Sequence, residues 1–192
     1  GEADPPVSLV TLDIGGNDLL RLLTADPCAS QPDGAACQGQ VRGTLASFEV
    51  NLRRVLDELR AALDVHAPDA PLLVMTYFNP FSGTDAIYER GGEVALLGED
   101  LTIDCQAAGD PAMRGMNDII LCVAGEAGAI GVDVHPRFTA LGLELTHIGA
   151  QDIHANDRGY EVIAAEMLAE LDRHTSPASA GRSAIRSALH LQ

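Results

Sequence analysis

Two short segments far apart in the chain carry the side chains best suited to chemistry. Near the start, Gly15-Gly16-Asn17-Asp18 follows the apolar run Val7–Ile14. Near the other end, Asp152-Ile153-His154 leads into Ala155-Asn156-Asp157-Arg158-Gly159-Tyr160. The amide N–H of Asn17 can reach a developing negative charge. The same amide also suits an Asx turn that only shapes the loop after Gly16. Asp18 beside it reads as a turn or helix-capping residue. His154 stands just before a predicted helix, whose positive end disfavours an imidazolium and leaves a neutral, proton-accepting ring. A loop histidine with no task would have the same neighbours. Asp152 is near enough for a loop to bring its carboxylate to the ring, though a backbone carbonyl would serve as orienter too. A hydroxyl is harder to find. Ser82, in Asn79-Pro80-Phe81-Ser82-Gly83-Thr84-Asp85, is the one serine predicted at the same sheet edge as Asn17 and His154; its plainer role is a turn. Ser8 falls in a strand and Ser47 on a helix. Ser176, Ser179, Ser183 and Ser187 lie in a tail with no buried strand before them. His135, His147, Asp152 and His154 are metal-ligand types, but their spacing matches no motif with a mechanism.

The elements that must position these groups alternate along the chain. Val7–Ile14 reads as a buried parallel strand, because both faces are mostly apolar. Gly15 and Gly16 permit a sharp turn at its carboxyl end, where open α/β sheets place ligands. Residues 19–24 give a turn or two of helix. Thr44 to Val65 is the clearest helix, with Leu45, Phe48, Leu52, Val55, Leu56, Leu59 and Leu63 on one stripe. Arg53 with Asp57 and Arg54 with Glu58 are spaced for surface ion pairs. Pro71–Tyr77 is a second strand. Residues 86–113 read as an acidic, Gly-rich loop with a short helical piece, placed to shape a pocket. Residues 114–127 form a helix with Met116, Ile119, Ile120, Val123 and Ala127 inward, and Ala129–Val132 begins a third strand. Asn156 is a good N-cap for a last helix, with Tyr160, Ile163, Ala164, Met167, Leu168 and Leu171 on one face, ending near His174. The strand–helix alternation argues a three-layer α/β/α domain with a parallel sheet and right-handed crossovers. Residues 1–174 form that domain, and 175–192 a tail or appended helix.

Composition narrows the classes. A chain of 192 residues suits one domain, and 46% hydrophobic with 4% aromatic content implies a core of Leu, Val, Ile and Ala. A formal net charge of -16 leaves no positive stripe for nucleic acid and opposes anionic membranes. All twelve basic residues are arginine, which we read as compositional habit rather than a site. No apolar segment approaches a membrane span, and the first residues have neither the basic nor the apolar region of a signal peptide. Cys28 and Cys37 bracket a turn-rich loop that packing alone would not hold; a disulfide there implies an oxidising, exported setting. Cys105 and Cys122 are a second candidate pair, with free thiols the alternative, Cys122 then filling an apolar helix face. No cysteine spacing suits zinc.

These blocks carry a resemblance. Gly15-Gly16-Asn17-Asp18 after a strand resembles the third signature block of the SGNH (GDSL-type) serine ester hydrolases, and Asp152–Tyr160 resembles their final, histidine-bearing block. Met75–Phe81 and Gly131–His135 are similar to the middle strands, so the resemblance spans Val7 to His174. No Gly-Asp-Ser-Leu block occurs in the chain. The resemblance implies an SGNH/flavodoxin-like fold lacking its first strands and hydrolysis of small or medium carboxylic esters through an acyl-enzyme. It also implies no metal and no organic cofactor. Gly16 and Asn17 would form the oxyanion turn and His154 would be the base. The family's orienting acid usually stands three residues before the histidine, where this chain has Gln151; Asp152 takes that role here. The nucleophile would lie outside the chain or at Ser82. In such folds the serine-bearing strand lies beside the strand that ends in Asn17, so residues 7–14 would be an open edge for a homodimer or for a missing N-terminal segment. The other reading is a truncated, non-catalytic module with a binding or assembly role.

Overall fold

A computed structural model describes residues 6–23, 25–32, 34–99, 101, 103, 105 and 114–176. The tail beyond Ser176 lies outside them. Three strands, β1 (Val10–Leu12), β2 (Leu72–Met75) and β3 (Ile130–Val132), form a parallel sheet in the order β1-β2-β3. Leu12 pairs with Val74, and Met75 with Val132, so all three strands end at one edge. Seven α-helices among the described residues surround the sheet: α1 (Gly16–Leu23), α2 (Ala35–His66), α3 (Ala86–Leu97), α4 (Met116–Glu126), α5 (His135–Phe138), α6 (Gly142–Leu145) and α7 (Asp157–Thr175).

The period-two geometry of β2 divides the core. Leu72 and Val74 face α1, α2 and α4, where Leu52, Leu56, Met116 and Ile120 are fully buried. Leu73 and Met75 face the other way, against Phe138, Leu145, Ala155 and Ile163. This is the expected α/β/α layering. Truncating a side chain such as Leu56 would cost about 2–5 kcal/mol, because the cavity cannot collapse between packed layers.

Several expectations are corrected. The Val7–Ile14 segment is not buried: β1 stands at an edge of the sheet among the described residues, as the open-edge reading has it, and Val7, Leu9 and Ile14 are substantially exposed. α2 begins at Ala35 rather than Thr44, because Cys37 and Val41 continue the buried stripe through two glycines that lower helix propensity. Arg53 does not take Asp57; it pairs with Glu49 on its own helix and with Glu126 on α4. Arg54 and Glu58 do pair. Residues 86–97 are helix, opened by the Asp85 carboxylate accepting the N–H groups of Ile87 and Tyr88. On α7, Tyr160 and Leu168 are exposed, so only the Ile163, Met167 and Leu171 side faces the sheet.

Both cysteine pairs, Cys28–Cys37 and Cys105–Cys122, are disulfides. They fit the oxidising setting read from the cysteine pattern. No helix among the described residues is long and apolar enough to cross a membrane.

Candidate active site

The turn after β1 is built from two close approaches. Gly15 has φ +112°, and a Cβ there would fall 2.4 Å from the Phe48 ring of α2. At Gly16 a Cβ would fall 2.6 Å from the Tyr77 ring. A side chain at either position would push the turn off its support. Asp18 N–H donates to Gly15 O at 2.9 Å, and Asn17 sits exposed in the first turn of α1. Its side chain makes no hydrogen bond with the described residues, so the amide is not spent on an Asx turn. Tyr77 leaves β2 beside this turn. Burial first, then the neighbouring Asp13 carboxylate, pushes its phenol well above the usual tyrosine range.

The second block folds on itself. His154 Nδ1 lies 2.5 Å from Asp152 Oδ1, and the same oxygen accepts the His154 main-chain N–H at 3.0 Å. That main-chain donor, then the imidazole, holds the Asp152 carboxyl below its usual range. The intervening single residue suffices because the loop is pinned around it. His147 N–H donates to His154 O, Asp152 N–H donates to His147 O, and Thr146 bridges Ala155. Asn156 caps α7 by accepting the Gly159 N–H, and its amide donates to Glu144 O and Thr146 O. Gly159 is required there, since a Cβ would meet Leu145 O at 2.1 Å. With Nδ1 engaged, Nε2 is the ring nitrogen available to a substrate; the His154 side chain is 71% exposed.

Asn17 follows the end of β1, while Ala155 and Ile163 pack with Met75, Val132 and Val134 at the ends of β2 and β3. No hydrogen bond or ion pair joins Asn17 to His154 among the described residues. Ser82 is elsewhere employed. It is 2% exposed, and its Oγ accepts the Ala140 N–H at 2.7 Å and donates to Glu89 at 3.2 Å. The turn role expected after Asn79-Pro80 is the one it has, and it is corrected as a nucleophile candidate: its hydroxyl is enclosed and already bonded.

A model of the GDSL-like lipase/acylhydrolase family matches residues 1–162. The chain belongs to that family. Its members as a class are hydrolases of ester type, and the parallel sheet with flanking helices agrees with an SGNH-like fold. Neither a curated protein nor a solved structure matches the chain.

Two groups near the sheet edge of this GDSL-like chain escape a reading of the sequence. Asn117, fully buried on α4, accepts the Tyr77 N–H and donates to Tyr77 O, both at 2.8 Å. The amide thus satisfies the main chain as a neighbouring strand would. His135 Nε2 lies 3.0 Å from Glu93 Oε2, a close contact without the alignment of a hydrogen bond. Asn79 donates to the other Glu93 oxygen at 2.9 Å. Burial raises the Glu93 carboxyl, but His135 and Asn79 outweigh it and hold it below the usual range. The only signal in the sequence was polar residues within apolar runs, which names no partner.

Proposed function

We propose that the protein is a serine-type carboxylic ester hydrolase in which His154 is the general base, Asp152 its orienter and Asn17 an oxyanion donor. His154 Nε2 takes the proton from an attacking hydroxyl as its oxygen bonds to the ester carbonyl. Asn17 donates to the oxygen that gains negative charge, and the imidazolium returns its proton to the departing alkoxide. Water then attacks the acyl-enzyme by the same route. Asp152 keeps Nδ1 as the protonated nitrogen throughout. The observation that carries this reading is the Asp152–His154 contact, formed despite the family's usual acid position holding Gln151.

The hydroxyl is supplied by a strand added along the open side of β1, from outside the described residues. Parallel strands are seldom left uncovered, and Val7, Leu9 and Ile14 offer that strand an apolar flank. The substrates are small or medium esters, handled in an exported setting.

The test is to incubate the 192-residue chain with a chromogenic short-chain ester and, separately, with a serine-directed fluorophosphonate. Turnover with a mass-shifted peptide supports the enzyme and names its serine. Silence from the 192-residue chain that gives way to turnover once the neighbouring coding sequence is included supports the added strand, whereas silence from both chains, folded and oxidised, favours a non-catalytic module for binding or assembly.

A further inference from the structure

We propose that Tyr77 is the positioning residue of the turn that aims Asn17, with Asn117 as the clamp that holds Tyr77 in place. This rests on the reading of Asn17 as an oxyanion donor and extends it to residues that touch no substrate.

Three observations converge. First, the aromatic ring is the surface on which the turn is laid: a Cβ on Gly16 would meet Tyr77 Cε1 at 2.6 Å, Cζ at 2.9 Å and Oη at 3.1 Å. The main chain of residue 16 therefore rests directly on that side chain, one residue before Asn17. Second, the hydroxyl faces both the Asp13 carboxylate and the Gly16 N–H. The phenol therefore stands between the end of β1 and the start of α1. Third, Tyr77 has passed the end of β2, yet its N–H and C=O are both held by the Asn117 carboxamide. That amide is fully buried on α4, a helix anchored on the sheet by Met116, Ile119, Ile120 and Val123. The chain of support runs from α4 through Asn117 and Tyr77 to Gly16. An oxyanion donor must be placed to within a fraction of an ångström, and a side chain in the first turn of a short helix needs such a backing.

The full 192-residue chain, labelled with 15N, tests this through Tyr77→Phe and Tyr77→Leu. Tyr77→Leu should speed Gly16 amide hydrogen exchange by at least about tenfold and shift the Asn17 side-chain resonances. The amides of Leu73 and Val74 in β2 should exchange as before, which separates a local release from general loosening. Tyr77→Phe keeps the ring and should restore both the Asn17 resonances and the native rate of Gly16 exchange. In ester turnover, Tyr77→Leu should lower kcat with KM unchanged. Unaltered Gly16 exchange in Tyr77→Leu, or exchange that rises in step with β2, overturns the proposal. The underlying reading has its own arm: if Asn17→Ala leaves turnover intact, Asn17 is no oxyanion donor, whatever the exchange rates show.

Discussion

Two histidine–carboxylate pairs differ in the ring nitrogen engaged, in hydrogen-bond alignment and, most of all, in exposure to water. His154 meets Asp152 at 2.5 Å with side chains 71% and 50% exposed. His135 meets Glu93 at 3.0 Å with side chains 8% and 18% exposed. The exposed pair can present Nε2 to a substrate but gains little stability from its contact, since solvent screens it. The enclosed pair can present nothing, and removing His135 leaves the enclosed Glu93 carboxylate with one partner fewer. Chemistry of the side chain alone would have ranked them equal. Access divides them.

The sharpest way to break this comparison is to remove each imidazole in turn. His154→Ala should lower ester turnover by roughly a thousandfold or more, with the melting temperature unchanged to within about 1 °C. His135→Ala should do the reverse, destabilising the fold by about 2–4 kcal/mol in urea titration while the folded fraction keeps its turnover. Equal loss of turnover in both variants would erase the distinction.

Next in size is the orienting carboxylate. Asp152→Asn should lower kcat by about a hundredfold or more, because the amide no longer selects the Nδ1-protonated ring. Unchanged kcat would mean that a main-chain carbonyl does the orienting.

The smallest effect concerns acid. Glu93 has a depressed pKa in the fold, so its contribution to stability is complete above the ordinary carboxylate value of 4.5 and is lost as pH falls through the depressed one. Urea midpoints measured from pH 6 to pH 3 should therefore fall less steeply for Glu93→Gln than for the native chain. Asp152→Asn should flatten that acid limb less than Glu93→Gln, because solvent screens the half-exposed Asp152 contact. A matching change in both variants would show the two pairs to be energetically alike.

Much of the frame was legible because it depends on local signals. The stripe through Leu45, Phe48, Leu52 and Leu56, the cap at Asn156 and the cysteine-bounded loop each declare themselves within a few residues. α3 did not, although Asp85 is a good cap. Gly91 and Gly92 argue against a helix interior until the neighbours are known: a Cβ on Gly91 would strike Pro32 and one on Gly92 the Asn79 side chain. These glycines answer to packing, and packing is not written locally. The same holds at the site. The Gly15-Gly16-Asn17 turn and the Asp152–His154 pair are short-range and could be read. The support from Asn117 to Tyr77 and the enclosure of His135 by Glu93 join distant elements. The mispairing of Arg53 has this origin too, because its second partner lies 73 residues further along the chain, on α4.

α2 runs 32 residues, about 48 Å, and two of its residues are spoken for at opposite ends of one task. Cys37 is covalently tied to the loop that follows α1, and three turns later Phe48 fills the space left by the missing Cβ of Gly15. The helix therefore acts as a gauge whose tick marks are fixed by the 3.6-residue turn. Adding or deleting one residue between Cys37 and Phe48 would rotate that ring by about 100° and leave Gly15 facing a void. Ordinary side-chain changes on the outer surface of this stretch should pass unnoticed, whereas a change in its length should not.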